Sequence, residues 1–573
     1  MKEKDLKINL LLALAIIIVI TCDVFFVSQK EGYHMDEVLS YQLSNSEFTP
    51  WITPTQPEGR LEKYYSAWIH GDGFFDTLGN LFVQIKDILT NRSSSIAANM
   101  TADVYDNPQW MTSEQMTDYV LYTHKDSVPA ISAYYNTTTD NHPPLYFMLL
   151  NIVSIISALF SYGTFSPWPG CILNMIFMAG SMILISRFFS DVVGKKIMGP
   201  VAALFYGLSP AGIGTVLLIR MYSMTAFFCI AFTYLIYKKL ISNEDFKKGN
   251  KVLILITVLG FLTQYFTCIY FFFLTVCVIC NLVFTGKKKN ALYLLRAMVI
   301  SAVWGIGLYP FVFHDLFGTQ IGESVRGSMS GFSGFGEKLM IFAGITAKET
   351  AWSAGGAIIF LSIFILSFIL AAKNRRITFY VPALCLSCLL YILTVSKIAP
   401  YTVDRYLMPV FPIVTICIAL GMGYVIKKTT DRILRSENSR TRIYAFGMAA
   451  CAFMSIGMIF IYEPDYLFTG YSTQYRISER YSGYDAVVVY EGTGFYRNVP
   501  ELMNYKNCLL LKEDDLEAYD ERLASLSDVI LIEGTGVEKD RVIAMLGKEY
   551  GFSSLTVLME EGVFGDRVCL LSK

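Results

Sequence analysis

Uninterrupted apolar blocks, each close to twenty residues long, constrain this chain more than any motif it carries. A helix of that length reaches across the hydrocarbon core of a bilayer. Such blocks recur at about 171–189, 198–218, 221–240, 252–265, 266–286, 292–312, 353–372, 377–396, 406–426 and 443–462. With 54% hydrophobic and only 17% charged residues among 573, and a mean hydropathy of +0.44, the chain has too little polar surface for an ordinary soluble globule. An integral membrane protein is therefore expected. A formal net charge of -1 leaves no basic excess to neutralise phosphates, so a nucleic-acid partner is not expected. Ten of the twelve cysteines fall in apolar blocks, and no CxxC pair has a second pair or histidines at metal spacing, so Cys385 and Cys388 read as small core hydrophobes. Cys508 and Cys569 lie in the polar C-terminal region and leave a disulfide open.

Residues 8–27 follow Lys2, Lys4 and Lys7 and form about twenty apolar residues with no small-residue cleavage site behind them. They read as an uncleaved anchor with a cytoplasmic amino terminus. The later basic turns are Arg187/Lys195/Lys196, Lys238/Lys239 with Lys247/Lys248, Lys287–Lys289, Lys373/Arg375/Arg376, and the run from Lys427 to Arg442. They alternate with poorly charged turns. Placing all of them on the cytoplasmic side requires that the stretch 145–161 make no net crossing, so it reads as an interfacial or re-entrant helix. The expected fold is an all-α polytopic membrane protein with about 11 transmembrane helices and a small extracytoplasmic α/β domain. Residues 1–462 would form the membrane module, with a large first outer loop over 28–144, and 463–573 the outer domain. The plasma membrane is the expected location.

The first loop contains helical patches (Asp76–Leu89, Ser113–Tyr122) and sequons at Asn91, Asn99 and Asn136, a triplet common enough by chance to say little. From Tyr484 onward, strand-like runs at 486–490, 508–511, 529–532, 555–559 and 567–571 alternate with helical ones at 500–505, 516–526 and 539–550. That order is the basis for the α/β expectation. Gly492-Thr493-Gly494 and Gly534-Thr535-Gly536 follow strands, but neither completes a phosphate-cradling glycine loop.

Two short motifs carry chemistry. His34-Met35-Asp36-Glu37 follows the first span directly, which tethers two carboxylates near the bilayer surface. About a hundred residues later comes Asn141-His142-Pro143-Pro144-Leu145-Tyr146, whose prolines fix the backbone and delay the helix start behind the imidazole. Solvated loop acids are the plain reading of Asp36 and Glu37. The chemical one is a base that takes the proton of an attacking hydroxyl in glycosyl transfer, with His142 and Glu37 orienting or polarising groups. A phosphate leaving group would need cations. On turns expected to lie outside, where basic residues should be rare, Arg220 (before Met221-Tyr222), Lys397 and Arg405 (before Tyr406-Leu407-Met408-Pro409) stand at span boundaries. Arg can grip phosphate bidentately and Lys supplies a point charge. Snorkelling to headgroups, or an Asp404–Arg405 pair, is the structural alternative. Gln264-Tyr265, on an outer hairpin, would line the same mouth or simply pack; His314 and Arg326 are weaker candidates.

Taken in order, His34-Met35-Asp36-Glu37, His142-Pro143-Pro144-Leu145-Tyr146, Arg220-Met221-Tyr222 and Arg405-Tyr406-Leu407-Met408-Pro409 resemble bacterial GT-C membrane glycosyltransferases of the protein O-mannosyltransferase (glycosyltransferase family 39) and aminoarabinose transferase type. The likeness covers about residues 1–430. It implies inverting transfer of a hexosyl or pentosyl group from a polyprenyl-phosphate donor to an outer-face acceptor of the cell envelope, whether protein, glycolipid or wall polymer. It also implies Asp36 as base, with the donor phosphate near Arg220, Lys397 and Arg405. Two departures stand out: Gln264-Tyr265 replaces a frequent His-Tyr, and no acid accompanies Arg220. The second departure weakens the case for a two-carboxylate metal site; no cofactor is assigned, and dependence on a divalent metal stays open. The competing class is a lipid or solute transporter, or a catalytically silent assembly protein. A transporter should carry ionisable residues at mid-membrane depth, whereas these spans read as nearly free of charge.

Overall fold

The computed structural model describes residues 2–47, 109–123, 130–138, 140–160, 164–241, 250–317, 334–351, 379–430, 437–459, 463–492, 494–517 and 519–573, with isolated residues between 73 and 83 and between 322 and 328. The chain divides into two compact units: Met1–Phe26 with Asn141–Tyr146 and Cys171–Pro464, and Val27–Asp140 with Phe147–Gly170 and Asp465–Lys573. In the structure, the first loop and the tail share a unit.

The first unit is built of helices. Five in the described residues are long and apolar enough to cross a membrane: α1 (Lys2–Val27), Trp168–Val193, Phe266–Phe284, Lys288–Leu308 and Tyr380–Ile398. A sixth results if Met198–Gly207 and Pro210–Leu217, bent by 58°, count as one span. The sequence count of eleven goes beyond this set. Asn250–Thr263 has only 14 residues, the 198–218 block breaks at Ser209-Pro210, and the 353–372 block lies outside the described residues.

Lys288–Leu308 shows why these helices suit lipid rather than water. Its outward stripe is Leu292, Leu295, Val299 and Val303, while Ala291, Ala297, Ser301 and Gly305 face inward with a single large residue, Leu294, among them. Large apolar groups outside and small residues inside is the reverse of a soluble helix, and it lets backbones approach closely. A Cβ on Gly305 would come within 2.8 Å of the Phe261 ring, and one on Gly207 within 2.6 Å of Val19. One carboxylate departs from the expectation of nearly charge-free spans. Asp23, near the end of α1, is fully buried, and neither of its oxygens has a hydrogen-bond partner among the described residues.

The second unit contains α2 (Met35–Asn45), helices Ser113–Val120 and Ile131–Thr137, the helix Leu145–Ala158 from Phe147 onward, and a six-stranded sheet. Strand order is β1 (Gln109–Thr112), β3 (Asn507–Lys512), β2 (Asp485–Tyr490), β4 (Asp528–Glu533), β6 (Arg567–Ser572), β5 (Ser554–Met559). The β3-β2-β4 centre is parallel and the flanking pairs are antiparallel. β2 is buried along its whole length, as a central parallel strand should be. Val487, Leu509, Leu531 and Cys569 join Val542 and Leu546 of the helix Lys539–Tyr550 in one apolar core. All five strand-like runs of the tail fall on strands. β1, drawn from the first loop, was not foreseen, and it makes the sheet a joint product of loop and tail.

Cys508 and Cys569 are free thiols. Their strands are separated by β2 and β4, three strand spacings or ~14 Å, far beyond disulfide reach. The helix Leu145–Ala158 has 14 residues. Its buried Asn151 accepts the Ala130 N–H (2.8 Å), and its Ser154 oxygen takes a bond from Asn45 Nδ2 (3.4 Å). These bonds join it to the loop helices of its own unit. Behind the sheet, the buried Glu501 accepts from Gln474 Nε2 (2.7 Å) and Asn498 Nδ2 (2.8 Å), and Asn498 also reaches Asp566 at 3.0 Å. Burial pushes the Glu501 carboxyl up to about 8, against the pull of the two amide donors.

Candidate active site

The two carboxylates of the sequence motif have different environments. Residue 34 is extended (φ -66°, ψ 147°) and caps α2: its Nδ1 accepts the Asp36 N–H (3.1 Å), and Glu37 accepts the His34 N–H at 2.7 Å. This reciprocal cap, with acids in the first turn, is why a helix starts here. Glu37 is fully buried, and Lys30 Nζ lies 3.0 and 3.1 Å from its two oxygens. Its carboxylate is therefore committed to an ion pair and a cap. The Asp36 side chain keeps 19% exposure, with one oxygen 3.7 Å from His34 Nδ1. Of the pair, Asp36 is the acid that solvent reaches.

His142 and Arg220 belong to the first unit, and the fold brings them together. Arg220 Nη2 lies 3.2 Å from His142 Nε2 and 3.5 Å from Nδ1. Guanidinium has donors and no acceptor, so the imidazole turns a lone pair toward it. That nitrogen is then poorly placed to take a substrate proton, which suits an orienting role better than a basic one. Arg220 owes its position to a broken helix. Ser209 caps Pro210–Leu217 by accepting the Gly212 N–H (3.1 Å), with Pro210 at the first helical position. At the far end Asn174 Nδ2 donates to the carbonyls of Val216 (3.1 Å) and Leu218 (2.8 Å), occupying acceptors a helix end leaves open. A tight turn from Arg220 N–H to Leu218 oxygen (2.7 Å) follows, and Tyr222, also buried, begins the next helix. Sequence reading missed Asn174. A polar residue at a fully buried position of an apolar block was the available signal.

The remaining candidates lie in the same unit. Tyr265 donates to Asp315 at 2.5 Å. Gln264 is buried and its side-chain oxygen accepts the Tyr265 N–H (2.8 Å), so it shapes the hairpin before Phe266–Phe284. The Phe266 and Tyr406 rings are 5.0 Å apart, Arg405 lies 5.9 Å from the Tyr406 ring, and the Tyr406 carbonyl accepts from Tyr391 at 2.6 Å. Arg405 and Tyr406 share a short 3-10 turn with Asp404 and are half-buried. Lys397 sits in the last turn of Tyr380–Ile398, where a cation offsets the helix dipole. Asp315 and Glu349 were not among the sequence candidates. Carboxylate oxygens of Glu349 and Asp404 lie within 4.8 Å of each other, close enough to share a hard cation. The side chains of His314 and Arg326 lie outside the described residues.

The candidate residues are thus distributed: Asp36 and Glu37 in one unit, and His142, Arg220, Tyr222, Gln264, Tyr265, Lys397, Arg405 and Tyr406 in the other. No protein-family model and no curated protein matches the chain. Among solved structures it is similar to ArnT from Cupriavidus metallidurans bound to undecaprenyl phosphate. That likeness has 11% identity and a TM-score of 0.44, and covers 75% of this chain and 88% of that one. For the apo state of the same protein the identity is 12% and the TM-score 0.42, covering 75% of this chain and 87% of that one. Likeness at this level assigns no residue role.

Proposed function

We propose that this chain is a membrane glycosyltransferase that moves a sugar from a polyprenyl-phosphate donor to an outer-face acceptor with inversion. Eleven spans, a cytoplasmic amino terminus and an extracytoplasmic tail complete the reading, in the plasma membrane. Asp36 takes the proton of the acceptor hydroxyl as that oxygen bonds to the anomeric carbon. The bond from that carbon to the phosphate oxygen breaks, and the lipid phosphate leaves with the electron pair. Arg220, Arg405 and Lys397 carry the negative charge that develops on the phosphate. His142 fixes Arg220, while Tyr222, Tyr265 and Tyr406 line the donor side.

One observation supports this most: an acid pair in which Glu37 is locked in a buried ion pair while Asp36 stays accessible at the start of a capped helix. Two loop acids of no function would not need such unequal treatment. In the test, Asp36→Asn loses transfer while keeping the wild-type thermal midpoint; wild-type turnover by this variant removes the base assignment. A transporter is the second reading, favoured by the buried Asp23 in α1. Flux of a lipid or solute across vesicle membranes, without sugar transfer, that Asp23→Asn abolishes would select it.

A further inference from the structure

The start of the C-terminal region folds back on the linker between α1 and α2, within the second unit. The N–H groups of Glu31 and Gly32 point to the Leu467 carbonyl at 2.9 and 3.4 Å, and the Gly470 N–H donates to the Glu31 carboxylate at 2.6 Å. A Cβ on Gly32 would stand 2.9 Å from the Cβ atoms of Phe468 and Tyr471, so the approach requires glycine. Tyr466 and Phe468 hold φ values of 74° and 53°. Side chains rarely adopt this region, and it persists where surrounding contacts over-determine the backbone. Lys30 is at the centre of this clasp. Its ammonium is buried, grips both Glu37 oxygens, donates to the Tyr466 carbonyl at 2.5 Å, and lies 5.5 and 5.1 Å from the Tyr33 and Phe468 rings.

We propose that Lys30 is a positioning residue for Asp36, and that the 466–470 clasp thereby makes the C-terminal region part of the transfer machinery; this rests on the glycosyltransferase reading. Glu37 is one residue from Asp36 in the first turn of α2 and also accepts the His34 N–H. With its carboxylate pinned by Lys30, that turn cannot rotate or fray without exposing or unpairing a buried ion pair. The direction in which Asp36 projects is set by Lys30, 436 residues away in sequence from the Tyr466 carbonyl it holds. A purely structural ion pair has a different signature. Replacing both partners with apolar or neutral groups of similar volume can leave stability intact, and if stability were the pair's whole purpose, turnover would return with it.

The experiment compares the full chain in lipid nanodiscs as wild type, Lys30→Met, Lys30→Met/Glu37→Gln and Asp36→Asn, with a polyprenyl-phosphate sugar as donor. Lys30→Met should lower kcat more than tenfold with the donor KM within twofold. If it fails to fold, the double variant carries the test. That variant should recover the wild-type thermal midpoint yet keep kcat at least tenfold down. Wild-type kcat in the double variant overturns the inference while leaving the function standing, provided Asp36→Asn is inactive. Wild-type turnover by Asp36→Asn, or no transfer by the wild type, instead sinks the glycosyltransferase reading and the role of Lys30 with it.

Discussion

Replacing Glu501 with Gln should stabilise the second unit, and the gain should depend on pH in a defined direction. Glu501 is buried with two amide donors on one oxygen, while its Oε2 has no partner among the described residues. Its proton is held up to about 8 in the folded chain, against an ordinary value of 4.5. The folded state therefore binds more proton than the unfolded state between those values, and stability falls as pH rises through that window. Below about 4.5 nothing is lost; above about 8 the deficit is constant. At roughly 1.4 kcal/mol per pH unit, the deficit at pH 7 is about 3 kcal/mol. A Gln keeps one acceptor for the two amides and puts an NH2 where Oε2 stands. It carries no charge to bury. Thermal scans of the full chain at pH 5, 6, 7, 8 and 9 should show the variant's midpoint advantage growing to several degrees as pH rises to about 8 and levelling beyond it. Trp110, within 4.1 Å of Arg522 and bonded to Asp520, reports on this unit by fluorescence. A midpoint difference that shrinks as pH rises, or stays flat from pH 5 to 8, would refute the reasoning.

Three further outcomes are expected. Arg405→Ala should raise the donor KM more than the acceptor KM, and the opposite pattern would make Arg405 structural. Asn174→Ala should cost about 2 kcal/mol of stability by orphaning the Val216 and Leu218 carbonyls and should also weaken donor binding through Arg220; unchanged donor affinity would separate the turn from the site. Asp23→Val should raise the thermal midpoint by removing a buried acid that has no hydrogen-bond partner among the described residues, a gain of about 1–3 kcal/mol, and a lower midpoint would mean that the carboxylate has a partner in the membrane.

The membrane class and the tail strands were legible because each rests on a local pattern: apolar runs of bilayer length, and β-branched runs bounded by turns. β1 was not, because a four-residue strand such as Gln109–Thr112 takes its identity from β3, some four hundred residues away. The helix break at Ser209-Pro210 carries a plain sequence signal, yet an apolar run conceals it when only hydropathy is read. At the site, residue types were readable and their division of labour was not. Nothing in Asp36-Glu37 says which acid is locked, since Lys30 and Tyr466 decide it. His142 and Arg220 could be named separately, while their 3.2 Å contact depends on a turn shaped by Asn174.

The central claim is that Asp36 activates an acceptor against a lipid-phosphate sugar. Purified chain incubated with a panel of polyprenyl-phosphate sugars and envelope acceptors should release the carrier phosphate, read by mass spectrometry, with at least one donor. Asp36→Asn should release none above background. Carrier release by Asp36→Asn at the wild-type rate, or none by the wild type with any donor, would contradict the account.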